Sequence, residues 1–109
     1  SMAASLRVLG ASGGKKAAVI GDMAELGELT ERAHKEIGEL TKELGIDTVI
    51  AIGARAKYFT EGNPSAQWFG SVDEAMGAVK AAFTAETAML VKASHSMHFE
   101  KIVEELTKA

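Results

Sequence analysis

The sequence predicts an α/β fold, a Rossmann-like three-layer sandwich with a mostly parallel sheet and the strand order 3-2-1-4. Three observations support this prediction. Short apolar runs lack the alternation of half-exposed strands, which is typical of strands buried on both faces. Amphipathic segments with helical spacing separate these runs, and such an alternation is best satisfied by a parallel sheet with helices on both sides. Right-handed crossovers leave few topologies, and 3-2-1-4 is the order of a Rossmann-like half.

Composition and charge limit the classes of protein to which the chain can belong. Of the 109 residues, 47% are hydrophobic and 25% are charged, which is ordinary for one globular domain spanning 1–109. The net charge of −3 argues against a nucleic-acid partner, which would favour a basic face. The absence of cysteine excludes disulfides, thiolate metal sites and a cysteine nucleophile. No apolar run approaches the roughly 20 residues of a membrane span.

The first half of the chain predicts two strands and three helices. Ser1 can cap a first helix, which the glycine-rich segment 10–14 ends. Strands are predicted at 17–20 and 48–52, each followed by a glycine, and a short helix at 54–61. A longer helix precedes the second strand and is suited to end at Gly45. Its apolar stripe consists of Leu29, Ala33, Ile37, Leu40 and Leu44.

The second half repeats the alternation. A weak strand is predicted at 67–69 and another at 88–91. Between them, Ser71 and Glu74 form a capping box in which each side chain satisfies the backbone N–H of the other. The helix that follows directs inward Val72, Ala75, Met76, Val79 and Phe83. The last helix places on one face Phe99, Ile102, Val103 and Leu106.

The strand order predicts where a ligand would bind. Open parallel sheets bind ligands beyond the carboxyl ends of their strands, where the strand order reverses. In the order 3-2-1-4 this point lies between strands 1 and 4. Loops 21–27 and 92–98 leave from there and hold the densest polar chemistry of the chain. The sequence therefore predicts a ligand crevice between these two loops.

Each polar residue of these loops has a functional and a structural interpretation. Asp22 could accept from a ligand or cap backbone amides of its own loop, and the two roles are compatible. Glu25 faces either a ligand or solvent. Lys92 either holds a phosphate or carboxylate, or extends along the strand end toward water. Ser94 or Ser96 is predicted to cap the last helix, whose N-terminus could also attract an anion.

Histidines and phosphate-binding motifs complete no catalytic set. His34 is predicted to be half-buried and hydrogen-bonded to the loop before it. His95 and His98 are three residues apart, but no third ligand at a suitable spacing accompanies them, so no metal site is predicted. Segment 10–16 is glycine-rich and ends in lysine, yet it precedes a strand and lacks the Gly-Lys-Ser/Thr order of a P-loop. From these residues alone, the chain is an α/β ligand-binding module.

Two segments carry a resemblance to a known family. Residues 18–27, Ala-Val-Ile-Gly-Asp-Met-Ala-Glu-Leu-Gly, resemble the Gly-Asp-Met-x-Glu-Leu-Gly signature of the Mur ligases that add D-Ala-D-Ala to UDP-MurNAc-tripeptide. Segment 34–38 is similar to the His-x-x-Val-Gly of that family. Residues 91–97, Val-Lys-Ala-Ser-His-Ser-Met, are similar to its Val-Lys-Gly-Ser-Arg-Ser segment, with Ala93 and His95 in place of Gly and Arg. The resemblance covers nearly all of the chain.

The resemblance implies a function and a set of partners. It implies that 1–109 is a C-terminal domain excised from a three-domain cytoplasmic enzyme of bacterial peptidoglycan synthesis, and inactive alone. That enzyme forms an amide between UDP-MurNAc-tripeptide and D-Ala-D-Ala, with ATP and Mg²⁺, through an acyl phosphate. The partner of this domain would be the central ATPase domain of the same chain, over which it closes. The residues that would face substrate or ATP at closure are Asp22, Met23, Glu25, Lys92, Ser94 and His95.

Catalytic residues and metal ligands are not implied within this chain, and no cofactor is expected to bind tightly to it alone. Two alternatives remain open at the level of sequence. One is a stand-alone Rossmann-like module that binds a small anion or nucleotide. The other is a protein-interaction domain.

Overall fold

The computed structural model describes residues 1–24, 26–94 and 97–108, which contain one sheet of four parallel strands. β1 (Lys15–Gly21) lies between β2 (Thr48–Ile52) and β4 (Thr87–Lys92), and β3 (Gln67–Phe69) pairs with the outer side of β2. The strand order is therefore β3-β2-β1-β4, which confirms the predicted topology.

Helices cover both faces of the sheet. On one face lie α1 (Met2–Gly10), α2 (Thr30–Glu43) and α3 (Phe59–Gly62). On the other lie α4 (Val72–Ala82) and α5 (Glu100–Thr107). Successive strand residues point to opposite faces, so β1 contributes Ala18 and Ile20 to the first core and Val19 to the second. The three predicted layers are present.

α2 and α3 touch backbone to backbone through two glycines. A Cβ on Gly38 would overlap the carbonyl oxygen of Phe59, and a Cβ on Gly62 would overlap the backbone of α2. Polar side chains pair beside this contact, where Asn63 donates to Thr41 Oγ1 at 3.0 Å and Thr41 donates to the Gly38 carbonyl at 2.6 Å. Thr41 is fully buried, and these bonds satisfy its hydroxyl without water.

Three apolar positions that were predicted to face the core are exposed: Leu29 at 59%, Phe83 at 47% and Val103 at 48%. Leu29 belongs to a 3₁₀ turn before α2, and Phe83 follows α4 with φ −87° and ψ 89°. Neither residue keeps the helical phase that the spacing assumed. Val103 lies on the flank of α5, where it lines a cavity with Lys92.

The predicted caps of α1, α2 and α4 are present, with one correction at α4. Ser1 Oγ accepts from the Ala4 N–H at 3.2 Å, and Gly45 ends α2 with φ +67°. Ser71 Oγ accepts from the Glu74 N–H at 3.2 Å. The Glu74 carboxylate, however, accepts from the Ser71 hydroxyl at 3.1 Å and not from its N–H. The predicted capping box therefore has one of its two arms.

Two surface ion pairs join α4 to α5. Lys101 donates to Asp73 at 2.9 Å, and this hydrogen bond and charge raise the pKa of Lys101. Lys80 lies 3.6 Å from Glu105, whose pKa is lowered first by Lys108 and then by Lys80. Because these pairs lie at the surface, water screens them and they contribute little to stability.

The glycine contact predicts opposite effects of one substitution at two helical positions. Gly38→Ala should lower the free energy of unfolding by about 3 kcal/mol, because a methyl group forces two backbones apart. Gly77→Ala is the matched control, since its Cβ would meet nothing within 4 Å on the exposed side of α4. It should raise the free energy of unfolding by about 0.5–1 kcal/mol through helix propensity. Urea unfolding measures both, and equal effects at the two sites would contradict the backbone contact.

Candidate functional site

The loops that follow β1 and β4 meet at the carboxyl edge of the sheet, as predicted. Ile20 and Lys92 are register partners, and beyond them the Ser94 N–H donates to the Asp22 carbonyl at 3.2 Å. Gly21 permits this approach, because a Cβ there would lie 2.6 Å from the Ala93 Cβ. Gly21 is thus required by space and not by unusual backbone angles, since its φ is not positive.

The Asp22 carboxylate binds the backbone of the loop after β2. Its Oδ1 accepts from the Arg55 N–H at 3.0 Å and from the Ala56 N–H at 2.8 Å. Its Oδ2 lies 3.9 Å from a guanidinium nitrogen of Arg55, and the side chain is 10% exposed. Asp22 therefore has the predicted structural role, with the correction that the amides it caps belong to the loop after β2 and not to its own loop.

The same β2 loop is held from its other side by β3. The Trp68 indole N–H donates to the Gly53 carbonyl at 2.7 Å, and the Gly53 N–H donates to the Phe69 carbonyl at 2.9 Å. Gly53 has φ +123°, and a Cβ there would lie 2.5 Å from Asp22 Oδ1. Sequence reasoning missed Arg55 and Trp68 as parts of this edge, and the signal that marked the loop was the glycine that ends the second strand.

His34 fixes the loop after β1 from the side of α2. The Met23 N–H donates to His34 Nε2 at 3.0 Å, and His34 Nδ1 lies 2.6 Å from the Thr30 carbonyl. Because Nε2 accepts, the proton is assigned to Nδ1, which donates to that carbonyl. The predicted bond between His34 and the preceding loop is confirmed. The ring is fully buried and not half-buried, since it packs on Phe59 with ring centroids 4.8 Å apart.

The structure separates Met23 from Lys92. The Met23 side chain lines a groove between α1 and α2, whereas Lys92 and Ser94 line a cavity of about 300 Å³ with Phe99, Glu100 and Val103. The Lys92 ammonium makes no hydrogen bond or ion pair within the described ranges. Glu25 and His95 lie outside the described residues. Of the predicted site residues that the structure describes, Asp22, Lys92 and Ser94 therefore meet at one edge, whereas the Met23 side chain lines a separate groove.

The last helix begins later than predicted. α5 starts at Glu100 after Phe99, which has no side-chain cap, so Ser94 is not its N-cap. The Ser94 carbonyl instead accepts from the Met97 N–H at 3.0 Å, and His98 has a φ of 55°. Ser96, the other predicted cap, lies outside the described residues.

The described residues offer no metal-binding cluster and no phosphate loop after a strand. In 1–24, 26–94 and 97–108, no group of three or more His, Asp or Glu residues could hold a metal ion. The glycine-rich segment 10–14 precedes β1, away from the carboxyl edge where a phosphate loop would follow a strand. Over the same ranges, no helix has the length and apolar character needed to cross a membrane.

The two hydrogen bonds that Asp22 Oδ1 accepts, here called the Asp22 bridge, predict a stability effect that depends on the oxygen acceptor. Asp22→Ala should lower the free energy of unfolding by about 1–3 kcal/mol, because it leaves the buried Ala56 amide and the partly buried Arg55 amide unpaired. Asp22→Asn should cost less, since an amide oxygen can still accept from both. Glu86→Ala, at an exposed carboxylate elsewhere, should change stability by about 0.5 kcal/mol or less. Thermal and urea unfolding compare the three, and an Asp22→Ala variant as stable as the parent would contradict the bridge.

Known proteins resemble this chain over almost its whole length. The UDP-N-acetylmuramoyl-tripeptide--D-alanyl-D-alanine ligase of Escherichia coli (strain K12) is 32% identical over 108 residues, which are 97% of this chain and 24% of that protein. A crystal structure of MurF from Acinetobacter baumannii superposes with a TM-score of 0.87 at 28% identity, covering 97% of this chain and 25% of that one.

Two further comparisons concern the fold and the family. The MurF ligase from Thermotoga maritima in complex with ADP has a TM-score of 0.82 at 24% identity, over 96% of this chain and 24% of that one, and this likeness shows the fold alone. The chain therefore spans about a quarter of the length of these relatives. The family described as Mur ligase, glutamate ligase domain, matches residues 1–95. The chain belongs to the Mur ligase family and matches the glutamate ligase domain of that family.

Proposed function

We propose that this chain is the C-terminal domain of an ATP-dependent ligase that adds D-Ala-D-Ala to UDP-MurNAc-tripeptide in peptidoglycan precursor synthesis. The observation that carries the proposal is the 32% identity, over 97% of this chain, to a ligase of that name. The enzyme is proposed to act in the cytoplasm. Because the chain spans about a quarter of its relatives, the chemistry is completed by the rest of the enzyme.

ATP and Mg²⁺ are assigned to the part of the enzyme outside this chain. The described residues offer neither a metal-binding cluster nor a phosphate loop after a strand. The proposed partner of this domain is the central ATPase domain of the same chain, and closure of the two domains would complete the site and exclude water. The carboxyl edge of the sheet is the proposed closing face.

The contacts on this edge indicate different proposed roles for Asp22 and Lys92. Asp22 is already committed to the Arg55 and Ala56 amides, so its proposed role is to position the edge. Lys92 has an ammonium without a partner in the described part of the chain, beside Ser94. Lys92 is therefore the proposed contact for an anionic group of ATP or of a substrate, as a compact point charge. Met23, Glu25, Ser94 and His95 remain proposed members of the same closing face.

A stand-alone module for a small anion or nucleotide is the second candidate. The cavity beside Lys92 favours it, because a cation without a partner next to an open space of about 300 Å³ can hold an anion without the rest of an enzyme. The two candidates differ in what the isolated chain does.

If the chain is the C-terminal domain of a ligase, the isolated chain should fold but should catalyse no ATP-dependent ligation of D-Ala-D-Ala. Calorimetric titration with ATP, UDP and D-Ala-D-Ala should detect no micromolar binding. Chromatography of a reaction with UDP-MurNAc-tripeptide measures product formation. Product formed by the isolated chain would overturn the proposal that the chemistry requires the rest of the enzyme. Micromolar binding of ATP or UDP without turnover would favour the stand-alone module.

The role of Lys92 predicts a kinetic effect in the enzyme that carries this domain. Lys92→Ala should lower kcat/KM by about tenfold to a hundredfold, the loss expected for one hydrogen bond to a charged group. Lys42→Ala is the matched control on the exposed side of α2 and should leave kcat/KM unchanged. Both variants should keep the melting temperature of the parent. Equal kinetics for Lys92→Ala and the parent would remove Lys92 from the closing face.

A further inference from the structure

A second open groove lies between α1 and α2, apart from the Lys92 cavity, with which it shares no lining residue. Its volume is about 450 Å³, within the range of sites that enclose part of a ligand or a peptide. Its floor is apolar and consists of Met2, Met23, Leu26, Ala33, Ile37 and Leu40. The proposed ligase function uses only the Met23 end of this groove.

The rim of the groove is acidic. Glu36, Glu39 and Glu43 follow one another along one side of α2, and Arg7 is the basic side chain of the lining. Arg32 pairs with Glu36 at 3.2 Å. The carboxylates of Glu39 and Glu43 make no hydrogen bond or ion pair with another described residue. Two carboxylates beside an apolar floor are therefore available to a cationic partner.

The floor is suited to an apolar stripe of another chain. Two of its six side chains are methionines, whose flexible thioethers adapt to partners of different shape. A groove between two helices is a common binding site for a third, amphipathic helix, which contacts it through residues at i, i+3, i+4 and i+7. The carboxylate rim would repel nucleic acid and anionic lipid surfaces, and it would attract lysine and arginine.

We propose that this groove docks a basic amphipathic helix of a protein partner, with apolar side chains on the floor and lysine or arginine against Glu39 and Glu43. Met23 and Leu26 belong to the loop after β1, and His34 holds the Met23 N–H. A helix in the groove therefore packs on the same loop that carries Asp22. Partner binding and the carboxyl edge share one structural element.

The test uses two fluorescent model helices and the 109-residue chain. One helix has leucines at i, i+3, i+4 and i+7 with lysines on both flanks, and the other has glutamates in place of the lysines. Anisotropy titrations compare the parent with Glu39→Lys/Glu43→Lys. The matched control is Glu86→Lys/Glu104→Lys, which changes the net charge equally at exposed positions outside the groove. Circular dichroism melts verify that all variants fold.

The lysine helix should bind the parent saturably and should perturb the amide resonances of Leu26, Ile37 and Leu40. Its Kd should rise by about tenfold or more in Glu39→Lys/Glu43→Lys, because two attractions become repulsions, and by less than about twofold in the control. Added salt should weaken binding. Equal binding of the glutamate helix, absence of saturable binding, or perturbation confined to the Lys92 cavity would overturn the proposal. A dimer of the chain that Glu39→Lys/Glu43→Lys dissociates would assign the groove to a second copy, and would also overturn it.

Discussion

The Asp22 carboxylate is the interaction on which the carboxyl edge of this domain depends. Asp22 directly follows β1, and its carboxylate accepts from two amides of the loop after β2. The backbone carbonyl of Asp22 accepts from the Ser94 N–H after β4. One residue thus connects the ends of three neighbouring strands. A carboxylate suits this position because its oxygens accept several backbone hydrogen bonds at once, and charge-assisted bonds are stronger than neutral ones.

The loop after β1 is fixed at two points by opposite sides of the molecule. Asp22 holds it to the β2 loop, and His34 holds the next residue, Met23, to α2. His34 is itself set by the packing of α2 on α3, where Gly38 lets the two backbones touch. Gly38 and His34 both contact Phe59, so the close approach of the two helices and the support of the loop after β1 share one residue.

Sequence reasoning succeeded where the signal was local and failed where it was tertiary. The strand order followed from alternation and chirality, and β2 and β3 matched their predicted bounds. The meeting of the β1 and β4 loops followed from topology. Spacing alone could not show that Phe83 leaves the helical phase, because that depends on where α4 ends. It also could not identify the partners of Asp22, which lie more than thirty residues along the chain.

Hydrogen exchange of the Arg55 and Ala56 amides, followed by NMR, tests the role of Asp22 most directly. These amides follow the end of β2 and would exchange quickly without an acceptor. The account predicts that both are protected in the parent, and that Asp22→Ala removes their protection while the β1 and β2 amides stay protected. Rapid exchange of both amides in the parent, or unchanged protection in Asp22→Ala, would contradict the claim that this carboxylate holds the edge together.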